Sequence, residues 1–246
     1  MKNNVWKIMA AIAILVMASM PALGAPQSPE TATVVSSSGR TDGTTGTAMQ
    51  ALAGNVTLLF INDTRTTTRW QGYYGNVTGQ VSLEDGSSHK LYDWQLASPQ
   101  GEIYASNTTT VAWSNIMCFN FTKGATAQNV TLSNLENTYG MGANDLDGVN
   151  ETFDALYTAG SVVVGSTTIV AGSCPVAYTN VNNASQSSDY AEILLMDNSS
   201  NNIVYATLLE QDATGFTGGT FDFQMLVGEN GDIAGVSTYY FFVELN

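Results

Sequence analysis

Positive charge is scarce in this chain: seven Lys plus Arg stand against 21 Asp plus Glu and a single histidine, for a net charge of −14. A surface of that sign repels nucleic-acid phosphates and anionic lipid alike, so nucleic acid is excluded as a partner. His89 is the only histidine and sits in the polar turn Gly86-Ser87-Ser88-His89-Lys90. A Ser-His-Asp or Cys-His arrangement therefore has no well-placed base, and no zinc-ligand cluster can be assembled. Neither G-x-S-x-G nor G-x-x-x-x-G-K-[ST] occurs. Kinase, NTPase and dehydrogenase readings fail with them. Charged residues make up only 11% of the chain against 44% hydrophobic ones, which excludes a disordered tail, a collagen and a coiled coil.

Long apolar runs are confined to the first residues. Lys2 and Lys7 precede the apolar stretch Ile8 to Met20, and small residues follow at Ala22, Gly24 and Ala25. This is the form of a secretory signal peptide over 1–24, with cleavage after Gly24 or, alternatively, after Ala25; the stretch is shorter than a membrane span needs. Its removal takes two cations with it, so the mature chain is still more acidic. The apolar C-terminal run from Tyr239 is too short to cross a bilayer, and no span is expected after the leader. The expected localisation is secreted, at the cell surface.

Cysteine is nearly absent too. In an exported chain the lone pair Cys118 and Cys174 is expected to form one disulfide. By contrast, Asn-x-Ser/Thr acceptors are dense, at Asn55, Asn62, Asn76, Asn107, Asn120, Asn129, Asn150, Asn183 and Asn198. Their number exceeds what composition alone yields and points to N-glycosylation of an exposed surface.

Residues 25–50 are rich in Ser, Thr and Gly and cannot bury enough to fold alone. They read as a flexible arm: a spacer, or alternatively a donor strand for an open sheet edge on a neighbour. From Asn55 onward the pattern is β. Apolar or β-branched runs recur at 56–61, 77–83, 91–96, 103–105, 116–121, 161–170, 193–196, 203–209, 221–227 and 236–245, separated by turn residues such as Asp85-Gly86, Ser98-Pro99 and Asn230-Gly231. The expected fold is all-β, an antiparallel sandwich or jelly roll in one domain over 51–246. One or two short helices are expected in the 131–157 insertion, where Ser133-Asn134-Leu135-Glu136 has a capping-box pattern.

Trp70-Gln71-Gly72-Tyr73-Tyr74-Gly75-Asn76, Leu91-Tyr92-Asp93-Trp94, the Asp145 to Phe153 segment, Phe221 to Val227 and the terminal Tyr-Tyr-Phe-Phe-Val-Glu-Leu occur in one order along most of the mature chain. In them the sequence resembles a group of secreted archaeal cell-surface proteins of unassigned activity. The resemblance implies an exported surface setting and no catalytic residue; where Gly228 stands it implies Pro.

Three constellations carry chemistry. Asp145, Asp147, Asn150 and Glu151 surround a glycine-permitted bend and offer the oxygens Ca²⁺ takes, although an acidic helix start explains them as well. Trp70, Tyr73, Tyr74, Trp94 and Trp113 could present a stacking platform for sugar rings, or simply pack a core. Asp93, Glu102, Glu210 and Asp222 are members for a paired-carboxylate glycoside hydrolase, better explained as polar positions of half-exposed strands. The leading expectation is a non-enzymatic structural or adhesive surface protein that associates with itself, other surface proteins or glycans. A carbohydrate- or calcium-dependent binding module is the alternative, and a secreted glycoside hydrolase comes third.

Overall fold

The structure, a computed structural model, describes residues 25–96, 100–121, 131–231 and 236–245. The expected leader over 1–24, the Ser98-Pro99 turn and the acceptor Asn129 lie outside the described residues.

The chain is all-β, with two short helices in the insertion where they were expected. Its first strands are β1 (Trp70–Gly75), β2 (Gly79–Glu84), β3 (Lys90–Leu96), β4 (Gly101–Ser106) and β5 (Ile116–Cys118). Helices α1 (Leu132–Thr138) and α2 (Val149–Thr152) follow. Then come β6 (Ala155–Leu156), β7 (Val162–Val164), β8 (Thr167–Ile169) and β9 (Pro175–Tyr178). The long pair β10 (Ala191–Asp197) and β11 (Ile203–Leu208) precedes β12 (Ala213–Thr214), β13 (Thr220–Phe221), β14 (Phe223–Gly228) and β15 (Tyr240–Leu245).

A seven-stranded antiparallel sheet in the order β15-β4-β11-β10-β9-β6, with β5 also on β10, forms the middle of the molecule. Strand β10 is buried at every position because both faces of this sheet are covered. On one face the β1–β14 ribbon and the two helices lay down Trp70, Tyr73, Met225, Val227, Leu135 and Phe153. On the other, the β7–β8 hairpin packs Val162, Val164 and Ile169 against Tyr104, Ile193 and Val204, with Trp113 at its margin. The last strand follows its alternation: Tyr239, Phe241 and Val243 all face the first layer.

Strands β5 and β9 share one side of β10 end to end, Cys118 opposite Leu195 and Val176 opposite Ile193. The Cys118–Cys174 disulfide closes where they meet. The expected pairing is present.

Several elements differ from their sequence expectation. The run 161–170 is a hairpin instead of one strand, because Gly165 takes a positive φ of 57° and turns the chain. Helix α1 is capped by Thr131, whose hydroxyl accepts the Asn134 N–H, and not by Ser133. Within the insertion, α2 stops at Thr152, and Ala155–Leu156 joins the sheet beside β9. Strand β1 was hidden because W-Q-G-Y-Y-G carries two glycines and no clean alternation.

The N-terminal arm begins on the sheet. Pro26 is buried, the Gln27 N–H donates to Val243 O at 3.0 Å, and the Val243 N–H donates to Gln27 O at 2.8 Å. Residues 28–68 then run without regular secondary structure, nearly all of them exposed. The strand expected over 56–61 is not formed.

Candidate functional site

Of the acceptor asparagines, Asn55, Asn62, Asn76, Asn107, Asn183 and Asn198 are exposed, whereas Asn120 and Asn150 are half-buried. Six described acceptors thus stand where a glycan can be attached without moving the fold.

The five aromatics expected as a platform are not brought together. Trp70 packs against Tyr139, Phe153 and Tyr205, and its Nε1–H donates to the Asp147 carbonyl at 2.7 Å. Tyr73 meets Phe241 edge-on, and Trp113 lies on the opposite face of the sheet between Tyr104 and Phe242. Core packing accounts for these three. Tyr74 remains outside with Phe216 and Phe221, and Trp94 stacks edge-on against Tyr92 with ring centroids 4.8 Å apart.

The calcium quartet is also divided. Asp147 turns its carboxylate to the Thr67 hydroxyl, and Asp145 Oδ2 accepts the Gly142 N–H at 2.6 Å. Asn150 lines a cleft beside α1. Among the described residues no three His, Cys, Asp or Glu side chains gather as a metal cluster.

The four candidate carboxylates have roles in the fold; Asp93 and Glu102 lie in strands, Glu210 and Asp222 do not, and Glu102 and Asp222 are buried instead of half-exposed. Asp222 accepts the Val77 N–H at 2.7 Å and the Asp212 N–H at 3.2 Å; Glu210 accepts the Tyr190 N–H; Asp93 accepts from Gln80. Glu102 lies directly across the β4–β15 pair from Glu244, both buried, with the Tyr104 hydroxyl donating to Glu244 Oε2 at 3.1 Å. Burial, then the facing Glu244 carboxylate, pushes the Glu102 carboxyl up to about 8. The folded state therefore holds a proton there that the unfolded chain has lost. This contribution to stability is complete below the ordinary carboxyl range near 4.5 and disappears as pH rises through about 8. Glu102→Gln is expected to raise the melting temperature at pH 8 and to change it little at pH 4; thermal melts across that range check it. A variant that parallels the wild type at every pH contradicts the assignment.

His89 caps the β2–β3 turn. Its Nδ1 is 2.9 Å from Asp85 Oδ2, and the His89 and Ser87 N–H groups donate to Asp85 Oδ1. These bonds, the His89 backbone one foremost, hold the Asp85 carboxyl below the usual range. The arrangement builds a hairpin tip, with both side chains largely exposed.

What sequence reasoning missed is the exposure of two apolar elements. Leu58, Phe60 and Ile61 are 79%, 92% and 86% exposed, and Val56 is fully so. Among the described residues no backbone hydrogen bond joins 56–61 to any sheet. The stretch 43–62 around them contains no charged residue. The β2–β3 hairpin, in turn, pairs with no third strand among the described residues and exposes Val81, Leu83, Leu91, Tyr92 and Trp94 on its two faces. A lone two-stranded hairpin is marginal in water and gains from a third strand. The sequence signal was present in V-T-L-L-F-I itself, which reads as a strand but names no partner.

Comparison of the chain with protein-family models, with curated proteins and with solved structures finds no match. Among the described residues no helix is long and apolar enough to cross a membrane.

Proposed function

We propose that the chain is a secreted, N-glycosylated structural or adhesive protein of the cell surface, of the archaeal kind its motifs resemble. Its copies join when Val56–Ile61 of one adds as a strand to the β2–β3 hairpin of the next. The observation that carries this reading is the uncharged, apolar 56–61 segment standing exposed and outside every sheet. Strand addition supplies its free N–H and C=O groups with partners and gives the exposed side chains of the hairpin a covering layer. Among the described residues nothing pairs with either edge of the hairpin.

Two further features favour assembly between copies. The segment is tethered on one side through Gln27 on β15 and on the other at β1, so it leaves the body as a long excursion with a fixed base. Its ends are marked by the acceptors Asn55 and Asn62, both exposed. Glycans there would bracket six residues, keep the apolar run soluble before it docks, and stop pairing from extending beyond it.

Sedimentation velocity over a concentration series tests the reading. The mature protein should form species of increasing mass, favoured by salt because the mature chain, without Lys2 and Lys7, is more negative than the −14 of the full sequence and that charge opposes close approach. Leu58→Ser/Phe60→Ser should remain monomeric. A wild type that stays monomeric at every concentration and salt overturns it.

A further inference from the structure

Beside α1 lies a cleft of about 410 Å³ whose lining includes Glu136, Asn137, Met141, Gly142 and Asn150. At its side Glu136 is only 4% exposed, and its Oε1 is buried without a hydrogen-bond partner. Burial and the neighbouring Glu151 and Asp145 carboxylates raise its carboxyl above the ordinary range, against the Val149 N–H that donates to it. An unpaired buried carboxylate oxygen is costly, and a second carboxylate beside it makes the cost larger.

Gly148 shows where these oxygens point. A Cβ placed on it would overlap Glu151 Oε2 and lie 3.1 Å from the Asp145 carbonyl oxygen and 3.3 Å from Glu136 Oε1. Three oxygens from α1, α2 and the loop between them thus converge on the space that this glycine leaves empty. The loop is fixed by short bonds: the Gly148 N–H donates to Asp145 O at 2.9 Å, and the Thr152 hydroxyl to Gly148 O at 2.7 Å. The carbonyl of Asp145 keeps a second lone pair free to coordinate.

We infer that Glu136, Glu151 and the Asp145 carbonyl form a binding site for a hard divalent cation, Ca²⁺, with water completing the coordination. Two carboxylates and a carbonyl suit calcium, which accepts mixed oxygen sets in irregular geometry, better than magnesium, which demands a near-ideal octahedron. The acidic surface concentrates cations around the chain. Two members of the sequence-based quartet, Asp147 and Asn150, are replaced by Glu136, which lies nine residues before Asp145 and carries no motif that links it to them. The site is independent of the strand-addition reading, since it lies on the helices and not on the hairpin.

A different occupant of the same space is a proton shared between Glu136 and Glu151. Thermal melts of the full mature protein at neutral pH in EDTA and in millimolar CaCl₂ separate the two. Calcium should raise the melting temperature by about 5 °C, as expected for a site well above half-saturation. Glu136→Gln and Glu151→Gln should each abolish the shift while still folding, with isothermal calorimetry showing one site per chain lost. If calcium shifts neither the melt nor the calorimetric signal of the wild type, or if both variants keep the full shift, the cation site is overturned. Stabilisation by Glu136→Gln without any calcium response assigns the space to the shared proton.

Discussion

Gly228→Ala is expected to lower stability by about 3 kcal/mol, some 5 to 10 °C in melting temperature, the range of a forced core overpacking. A Cβ on Gly228 would overlap three carbons along one side of the Tyr139 ring, a packed side chain 7% exposed. The strand cannot retreat. Gly228 is opposite Trp70 in the β1–β14 pair, its N–H donates to the Tyr205 hydroxyl at 3.3 Å, and its carbonyl accepts the Tyr239 hydroxyl at 2.7 Å. The Tyr139 and Tyr205 hydroxyls are themselves 2.7 Å apart, and the half-buried Tyr239 hydroxyl is 3.4 Å from Tyr139, so movement of one ring disturbs all three phenols. Burial raises the Tyr139, Tyr205 and Tyr239 hydroxyls above the ordinary tyrosine range, and they act here as neutral hydrogen-bonding groups. The Pro implied at this position by family resemblance would remove the N–H and collide with the same ring. Gly228→Pro is expected to be worse than alanine. Thermal melts with near-ultraviolet circular dichroism check both; an alanine variant within 2 °C of wild type, with an unchanged tyrosine signal, contradicts this packing.

Cys118→Ser/Cys174→Ser is expected to cost about 4 kcal/mol, the chain-entropy value for a loop of 56 residues' separation. The location of the bond supports a large effect. It joins the ends of two short strands, β5 and β9, which have three and four residues and meet along one side of β10. Cys174 is buried and packs in the second core layer with Val176 and Ile193. Without the bond, β5 keeps its three-residue pairing with β10, Ile116 in the second layer, and Met117 and the adjoining Phe119 against the first. Denaturant titrations of wild type, reduced wild type and the double variant measure the loss. A midpoint unchanged by reduction would mean that the sheet alone holds β5.

The fold was legible where alternation or continuous apolarity carried the signal. Strands β10 and β11 are apolar on both sides because layers cover both faces, and the closing segment alternates, with Tyr239, Phe241 and Val243 half-buried against the first layer and Phe242 and Glu244 buried on the other face. Strand β14 was read with Phe221 included, but Asp222 interrupts the pairing and sends Phe221 out to Tyr74 and Phe216. The candidate sites were less legible for a physical reason. Residue type announces that Trp70 and Trp113 are large aromatics, but only the topology puts them on opposite sides of one sheet. The same holds for Glu136: its partner groups lie beyond a loop, and sequence spacing does not carry that proximity. The opposite failure occurs at 56–61, where local propensity is strong and the described residues provide no strand for it to pair with.

The most direct test of the assembly proposal is negative-stain electron microscopy of mature protein taken from the native cell surface, beside the Leu58→Ser/Phe60→Ser variant expressed in the same cells. The predicted result is filaments or lattices in the wild type and isolated particles in the variant. Isolated particles in both samples, or undisturbed filaments in the variant, would contradict strand addition by Val56–Ile61.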